Sequence, residues 1–150
     1  NILQKDIPDC VFVDLFSGSG GIGIEALSRG ARKCYFIENS PKALACIQEN
    51  LQFTKFADKS VVLKQDAVLG LNSIFEKTVD IIFMDPPYRL EIETSVCKML
   101  KESGCLKENS IIIIEAAKDR DFFEITELGY TIIKEKIYKT NKHVFIIPTS

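Results

Sequence analysis

The sequence lacks the features that mark several large classes of protein. No segment is long and apolar enough to cross a lipid bilayer, so we expect no membrane-spanning element. An excess of charge of one sign is also missing, because 19 lysines and arginines stand against 21 aspartates and glutamates. The chain therefore has no global positive field to attract nucleic acid, and any such partner must be held by a local patch.

Cysteine and histidine are present without the spacing of a disulfide framework or a metal site. The five cysteines form no C-x-x-C pair and mostly lie within apolar runs, where cysteine serves as a small hydrophobic residue. The single histidine, His143, has no metal-ligand cluster around it in sequence, and we interpret it as a surface residue. We expect a reducing, cytoplasmic location, no disulfide and no metal.

The length of 150 residues fits one domain over residues 1–150. The sequence opens at Asn1 without an initiator methionine, a basic and apolar leader or a cleavage site, so we expect a fragment or a trimmed chain. We also expect a monomer.

Short apolar runs alternate with segments of helical period along the chain. Parallel strands are predicted at residues 10–13, 34–37, 61–63, 79–84 and 111–114. Helices are predicted between them, from Ile22, from Pro41 after the cap Ser40, over residues 71–75 and from Ile92. Residues 130–138 and 144–147, joined by residues 139–143, predict a hairpin. The expected fold is α/β, a mostly parallel seven-stranded sheet with helices on both faces and an antiparallel C-terminal hairpin.

The predicted strands end in acidic residues. A ligand of an open parallel sheet binds beyond the carboxyl ends of the strands, so these positions are candidate site residues. They are Asp14, Glu38, Asp66, Asp85 and Glu115.

A glycine-rich turn follows the first strand and opens the first helix. Residues 18–23 fit G-x-G-x-x-G, whose bare backbone lets an adenosine-bearing ligand approach closely. Glu38 comes 20 positions after Gly18, where a carboxylate can accept both hydrogen bonds of a ribose diol. These features alone do not distinguish NAD from S-adenosylmethionine.

The stronger indication of chemistry is the tetrapeptide Asp85-Pro86-Pro87-Tyr88 after the fourth strand. Two prolines remove two backbone donors and fix two φ angles, so the turn offers rigid acceptors. Asp85 and the Pro86 carbonyl could each accept one N–H of a planar amine, while the ring of Tyr88 stacks on the base. Such acceptors would aim the nitrogen lone pair at the methyl group of a sulfonium. The alternative is a rigid loop without chemistry.

Charge at the strand ends favours a cationic ligand over a dinucleotide. Asp14 and Asp85 would repel a diphosphate, and the glycine turn contains no lysine or arginine to offset them. Asp66 could accept the adenine amino group, although it could equally cap a helix.

Residues 14–31, together with Glu38-Asn39 and the tetrapeptide from Asp85 with Arg89, closely resemble the bacterial 16S ribosomal RNA guanine-N2 methyltransferases of the RsmD type. The resemblance covers nearly the whole chain. It implies a Rossmann-like class I methyltransferase fold that transfers a methyl group from S-adenosylmethionine to N2 of a guanine in 16S rRNA, with S-adenosylhomocysteine as the product. The substrate is expected within a small-subunit particle.

The resemblance also implies roles for individual residues. The residues expected to bind the cofactor are Asp14, Phe16, Ser17, Gly18 and Gly20 for the methionine part, Glu38 and Asn39 at the ribose, and Asp66 and Ala67 at the adenine. The residues expected to hold the target guanine are Asp85, Pro86, Pro87 and Tyr88. Family members have a further N-terminal segment with a basic hairpin, and this sequence begins after it.

The only dense basic group is Lys134, Lys136, Lys139 and Lys142 in the terminal hairpin. These lysines could contact RNA, or they could be solvated residues that discourage strand pairing. We therefore expect that the chain binds the methyl donor but binds RNA weakly. The alternative functions are a DNA adenine-N6 or cytosine-N4 methyltransferase, an NAD-dependent oxidoreductase domain and a non-catalytic adenosine-binding module.

Overall fold

A computed structural model describes residues 5–74, 78–86 and 92–149. The strands in these ranges are β1 (Val11–Leu15), β2 (Lys33–Glu38), β3 (Ser60–Lys64), β4 (Val79–Met84), β5 (Leu106–Ala117), β6 (Tyr130–Ile137) and β7 (Asn141–Pro148). The helices are α1 (Gly21–Ser28), α2 (Pro41–Thr54), α3 (Ala67–Asn72), α4 (Ile92–Ser103) and α5 (Phe123–Glu127), with a short 3-10 helix at Ala57–Lys59.

The strands form one sheet in the order β3-β2-β1-β4-β5-β7-β6. Strands β1 to β5 pair in parallel, whereas β7 runs antiparallel to both β5 and β6. The predicted fold class is therefore confirmed. The order reverses between β1 and β4, and at such a switch point the loops after neighbouring strands separate and leave a crevice.

Apolar side chains from both faces of the sheet form the core. Because successive side chains of a strand point to opposite faces, the uninterrupted apolar runs of β1, β2 and β4 require a cover on each side. On one face Leu15 and Met84 pack in the same cluster as Leu71 of α3 and Leu100 of α4. The opposite cluster contains Phe12, Phe36 and Phe83 of the sheet, with Leu27 of α1 and Ile47 and Leu51 of α2.

The cysteines divide into two groups. Cys10, Cys34, Cys97 and Cys105 are buried, whereas Cys46 on α2 is exposed. The four buried thiols therefore act as small core residues.

Local signals explain where two helices begin. The Ser40 hydroxyl accepts a hydrogen bond from the Ala43 amide at 3.3 Å, and Pro41 is the first residue of α2, as predicted. The prediction of a helix over residues 71–75 is wrong in position, because α3 begins at Ala67. The Asp66 carboxylate accepts from the Leu69 amide at 2.9 Å and so caps α3 four residues earlier than expected.

Other elements differ in length from the predictions. Strand β5 begins earlier than predicted, at Leu106, and its register with β4 shifts near this end. There the Ser110 hydroxyl replaces regular ladder hydrogen bonds: it donates to the Val79 carbonyl at 2.6 Å and accepts from the Lys107 amide at 2.8 Å. Strand β7 begins at Asn141, so the hairpin turn is shorter than residues 139–143. Helix α5 and the 3-10 helix are too short to have a readable period.

No helix within the described residues is both long enough and apolar enough to cross a membrane.

Candidate functional site

A cleft of about 760 Å³ lies beyond the carboxyl ends of β1, β2, β3 and β4. Seven of the residues that sequence reasoning selected line it: Phe16, Glu38, Asn39, Asp66, Ala67, Asp85 and Pro86. The rest of its lining is apolar or carries a hydroxyl, and consists of Val68, Ile92, Ser95 and Val96. Its volume falls in the usual range for a small-molecule site.

The turn after β1 is bound tightly to β2. The amides of Phe16 and Ser17 both donate to the Ile37 carbonyl, at 3.1 and 3.2 Å. Phe16 has φ 63°, and Gly18 and Gly20 have φ 56° and 82°, so the chain passes repeatedly through the left-handed region. For a phenylalanine this backbone conformation is strained, and strain of this kind is concentrated at functional sites.

Glu38 joins the glycine turn to the start of α2. Its Oε1 accepts from the Gly18 amide at 2.8 Å, and its Oε2 accepts from the Asn39 and Ser40 amides at 3.2 and 3.1 Å. A carboxylate has about four acceptor positions, so Glu38 can still accept a further hydrogen bond from a ligand in the cleft.

Asp14 lies beneath the turn rather than in the lining of the cleft. It is 2% exposed, and its Oδ2 accepts from the Gly23 amide at 3.0 Å. Burial raises the pKa of Asp14 to about 7; the Gly23 hydrogen bond opposes the shift, and the charges of Glu38 and Asp85 add to it. Ser17, Gly18 and Gly20 likewise form the turn beside the cleft, and a Cβ on Gly18 would meet no atom within 4 Å.

Asp85 and Pro86 follow β4 at the switch point. Asp85 is exposed and Pro86 is buried. Desolvation of the carboxyl is the main cause that raises the pKa of Asp85; Glu115 adds to the increase, and His143 opposes it. Pro87 and Tyr88, which complete the predicted tetrapeptide, lie outside the described residues, as does Arg89.

His143, interpreted from the sequence as a surface residue, is partly buried, with 21% of its side chain exposed. Its Nε2 lies 3.1 Å from Glu115 Oε1, and its ring meets Phe83 and Tyr138 edge-on at centroid distances of 5.8 and 4.9 Å. Strand β7 is antiparallel to β5 and pairs His143 with Glu115, so the first residues of β7 lie at the carboxyl end of β5. The sequence feature that could have indicated this position is the predicted hairpin, because its last strand begins at the edge of the sheet where the cleft lies.

The predicted basic group is also smaller than expected. Lys134, Lys136 and Lys139 are exposed, but Lys142 is 8% exposed. The Lys142 ammonium donates to the Arg120 carbonyl at 2.8 Å and lies 3.3 Å from Glu135. The Lys142 ammonium therefore already has partners within the fold.

Among the described residues, the charged side chains that line the cleft are Glu38, Asp66 and Asp85, all acidic. Such a lining attracts positive charge and accepts hydrogen bonds from hydroxyls and amines, whereas it disfavours a diphosphate. Within the described ranges, no three His, Cys, Asp or Glu side chains are grouped so that they could hold a metal ion.

Comparisons with known proteins identify the family of this chain. A family model described as conserved hypothetical protein 95 matches residues 1–147. The ribosomal RNA small subunit methyltransferase D of Haemophilus influenzae is 33% identical over 138 residues, which are 91% of this chain and 70% of that protein. The Escherichia coli protein of the same name is 30% identical over 118 residues, which cover 77% of this chain and 58% of that protein. The chain thus spans less than two thirds of the length of the Escherichia coli relative.

The fold matches solved structures over nearly its whole length. A conserved hypothetical protein from Streptococcus pyogenes superposes with a TM-score of 0.83 at 31% sequence identity. The match covers 94% of this chain and 87% of that one.

Proposed function

The chain belongs to the family described as conserved hypothetical protein 95, and on that premise we propose that it methylates the exocyclic N2 of a guanine in 16S ribosomal RNA, with S-adenosylmethionine as the donor. Its fold is that of class I methyltransferases. The names of the Haemophilus influenzae and Escherichia coli relatives support a ribosomal RNA substrate. The proposal places the chain in the cytoplasm as a monomer that acts on a small-subunit particle.

The residues of the cleft fit this donor. S-adenosylmethionine supplies a methyl group on a positively charged sulfur, and S-adenosylhomocysteine is left when that carbon–sulfur bond has broken. In the proposal Glu38 accepts from a ribose hydroxyl, which its one remaining acceptor position allows. Ala67 and Asp66 flank the adenine, and Phe16 covers the cleft beside them. Asp14 adds negative charge below the turn when it is ionised.

Asp85 and Pro86 orient the amine in this mechanism. The Asp85 carboxylate and the Pro86 carbonyl each accept one N–H of N2, which draws the nitrogen out of conjugation and points its lone pair away from them into the cleft. As the new N–C bond forms, the amine becomes acidic and loses one proton to Asp85 or to water. The raised pKa of Asp85 suits a group that accepts this proton. Pro87 and Tyr88 are proposed to complete the binding of the base.

One observation carries the proposal. Asp85 and Pro86 line the same cleft as Glu38 and Asp66, so an amine held at the end of β4 faces a ligand held at the ends of β2 and β3. A dinucleotide would bring its diphosphate into this acidic cleft.

The test combines product analysis with ligand binding. The chain is incubated with S-adenosylmethionine and small-subunit particles or DNA, at concentrations high enough for a weakly bound substrate, and the nucleosides are identified by mass spectrometry. We expect N2-methylguanine from the RNA. Methyl groups on adenine N6 or cytosine N4 would contradict the proposal, as would calorimetry in which NADH binds and S-adenosylhomocysteine does not.

Replacement of Asp85 tests the mechanism. We expect Asp85→Asn to lower methyl transfer by roughly 10²–10⁴-fold, the usual contribution of a proton acceptor, while the affinity for S-adenosylhomocysteine changes much less. The exposed Asp58 on the 3-10 helix provides a matched control, because Asp58→Asn removes the same charge away from the cleft. Equal losses in transfer and in product affinity would show that Asp85 only binds the donor.

A further inference from the structure

Glu115 lies near the carboxyl end of β5, on the strand next to the proposed amine-binding residue. Strands β4 and β5 are parallel neighbours with Met84 opposite Ile114, so the next residues, Asp85 and Glu115, stand at the same level of the sheet. Adjacent strands are about 4.8 Å apart, so the two residues lie at the same edge of the sheet, with Asp85 in the lining of the cleft and Glu115 beside that lining. Two acidic groups at this spacing disfavour each other's ionisation unless a ligand with hydrogen-bond donors lies between them.

Two side chains of β7 fix the position of the Glu115 carboxylate. The Asn141 Nδ2 donates to its Oε2 at 2.8 Å, and His143 Nε2 lies 3.1 Å from its Oε1. The Glu115 side chain is 27% exposed, so it is held but still open to solvent. With about four acceptor positions on a carboxylate, two have no partner among the described residues.

The other strand-end acids already have a structural role. Asp14 is buried beneath the turn, Glu38 accepts from three backbone amides, and Asp66 caps α3. Among the described residues, no backbone amide donates to the Glu115 carboxylate, and the mechanism above does not use it. Its position is therefore explained neither by helix capping nor by the binding of the donor.

We propose that Glu115 is the specificity-determining residue of the site and accepts a hydrogen bond from N1–H of the target guanine. The inference rests on the proposed function. Guanine presents N1–H and the N2 amine as adjacent donors, whereas adenine and cytosine present a ring-nitrogen acceptor next to their amine. With Asp85 at the amine, a second carboxylate beside it attracts the N1–H of guanine and repels the lone pair of the other bases. Recognition of this edge is how enzymes select a base taken out of its stack.

The test uses a base that differs from guanine at N1. An RNA carrying the guanine mapped by mass spectrometry is synthesised with either guanine or 2-aminopurine at that position. 2-Aminopurine keeps the amine on C2 but has a lone pair at N1. We expect the chain to prefer guanine by at least about 100-fold in kcat/KM, because a polar site rejects an analogue that leaves its groups unpaired.

The Glu115→Gln variant should lose most of this preference. The glutamine amide has nearly the shape of the carboxylate and can donate a hydrogen bond to N1 of 2-aminopurine, so we expect the preference to fall to about 10-fold or less. 2-Aminopurine also lacks the O6 of guanine, but that loss is common to both enzymes and cancels when their preferences are compared. Glu135→Gln is the control, because Glu135 pairs with Val144 and lies on the opposite face of the hairpin from His143.

A second variant keeps the charge of Glu115 and changes only its orientation. Asn141→Ala removes the 2.8 Å hydrogen bond to Oε2, and we expect it to lower the preference for guanine several-fold. N2-methylguanine formation with an unchanged preference in both Glu115→Gln and Asn141→Ala would overturn the assignment of Glu115 alone. Methylation of adenine or cytosine by the unaltered chain would overturn the proposed function and this inference together.

Discussion

At the scale of single residues, Asp14 shows how strongly burial changes a carboxyl group. Its pKa of about 7 in the folded chain lies above the ordinary value of 3.8, so the folded state binds more protons than the unfolded state between these values. The free energy of unfolding contributed by Asp14 therefore decreases as the pH rises from about 4 to about 7, and it is constant at higher pH. The ionised carboxylate beneath the glycine turn therefore costs the fold stability.

We predict that Asp14→Asn removes this dependence on pH. We compare the unfolding free energy of the variant with that of the unaltered chain at each pH. This difference should favour the variant by roughly 2 kcal/mol more at pH 8 than at pH 5, because burial penalises only the charged carboxylate. Urea unfolding at the two pH values measures the difference. A difference between the two proteins that does not change with pH would contradict the prediction.

Asp80 provides a control of opposite sign. Burial alone would raise its pKa, but hydrogen bonds from Lys107 and from the Val11 amide, the latter at 2.8 Å, lower it below the ordinary value. Asp80 therefore stabilises the fold above the ordinary pKa of an aspartate, and this contribution is lost as the pH falls through its lowered value. Asp80→Asn should cost about 1 kcal/mol at neutral pH and less in acid.

The residue scale also shows what the sequence could indicate about the site. Acidic residues after apolar strands identified Glu38, Asp66 and Asp85, because parallel strands bring their carboxyl ends to one edge. Their hydrogen-bond partners could not be predicted. Asp66 was equally compatible with a ligand and a helix cap, and its contact to Leu69 depends on where α3 begins.

At the scale of elements, α1 lies against β2 with no room for a side chain at Gly23. A Cβ there would come within 2.4 Å of the buried Phe36 ring and 2.8 Å of Cys34 Sγ. At Gly21, two residues earlier in the same helix, the nearest atom to a Cβ is Ser19 Oγ at 3.7 Å. The glycine-rich segment therefore combines one glycine needed for packing with another that is not.

We predict that Gly23→Ala costs about 2–3 kcal/mol of unfolding free energy, because α1 must move away from the sheet or Phe36 must leave its position. Gly21→Ala should be neutral or stabilise by a few tenths of a kcal/mol, since alanine favours a helix and meets no neighbour closely. Thermal unfolding of the two variants measures the contrast. A loss for Gly21→Ala as large as that for Gly23→Ala would contradict it.

Elements covered on both faces were predictable, and elements that depend on distant partners were not. In strands β1, β2 and β4 polar and apolar residues do not alternate, and this pattern predicts parallel strands that are covered on both faces. The start of β5 was missed because residues 106–110 are largely polar and their pairing with β4 is irregular, with the Ser110 hydroxyl donating to the Val79 carbonyl. Helix α5 spans only five residues, fewer than a helical period needs to be recognised.

At the scale of the whole molecule, an ion pair joins α4 to the segment after β5. Glu93 Oε1 lies 2.7 Å from the Arg120 guanidinium, and the two side chains are 5% and 25% exposed. Arg120 also lies over the Phe122 ring, with 5.5 Å from its Cζ to the ring centroid. The pair therefore connects two parts of the chain that the sheet alone does not hold together.

We predict that Arg120→Leu costs about 3 kcal/mol of unfolding free energy, because it leaves a buried carboxylate without its partner. Addition of Glu93→Met should recover most of the loss, since an apolar pair of similar volume needs no desolvation of charge. Urea unfolding of the single and double variants tests this. A double variant no more stable than Arg120→Leu would show that the guanidinium stabilises the fold through Phe122 instead.

The whole-molecule arrangement explains why the sequence revealed the cleft better than the surroundings of Glu115. The cleft is built from the ends of strands that pair in a regular parallel order. The surroundings of Glu115 need β7, whose antiparallel direction brings Asn141 and His143 to this carboxylate. The predicted hairpin indicates where β7 begins, but its register with β5 has no local sequence signal.

The division of the cysteines gives this chain a chemical reporter. Burial raises the pKa of Cys10 to about 11 and that of Cys97 to about 12, and the pKa values of Cys34 and Cys105 are raised as well. A maleimide dye offered to the native protein therefore meets one accessible sulfur, Cys46 on the outside of α2. Modification of the remaining sulfurs requires the fold to open, so a second label on a molecule records that it has done so.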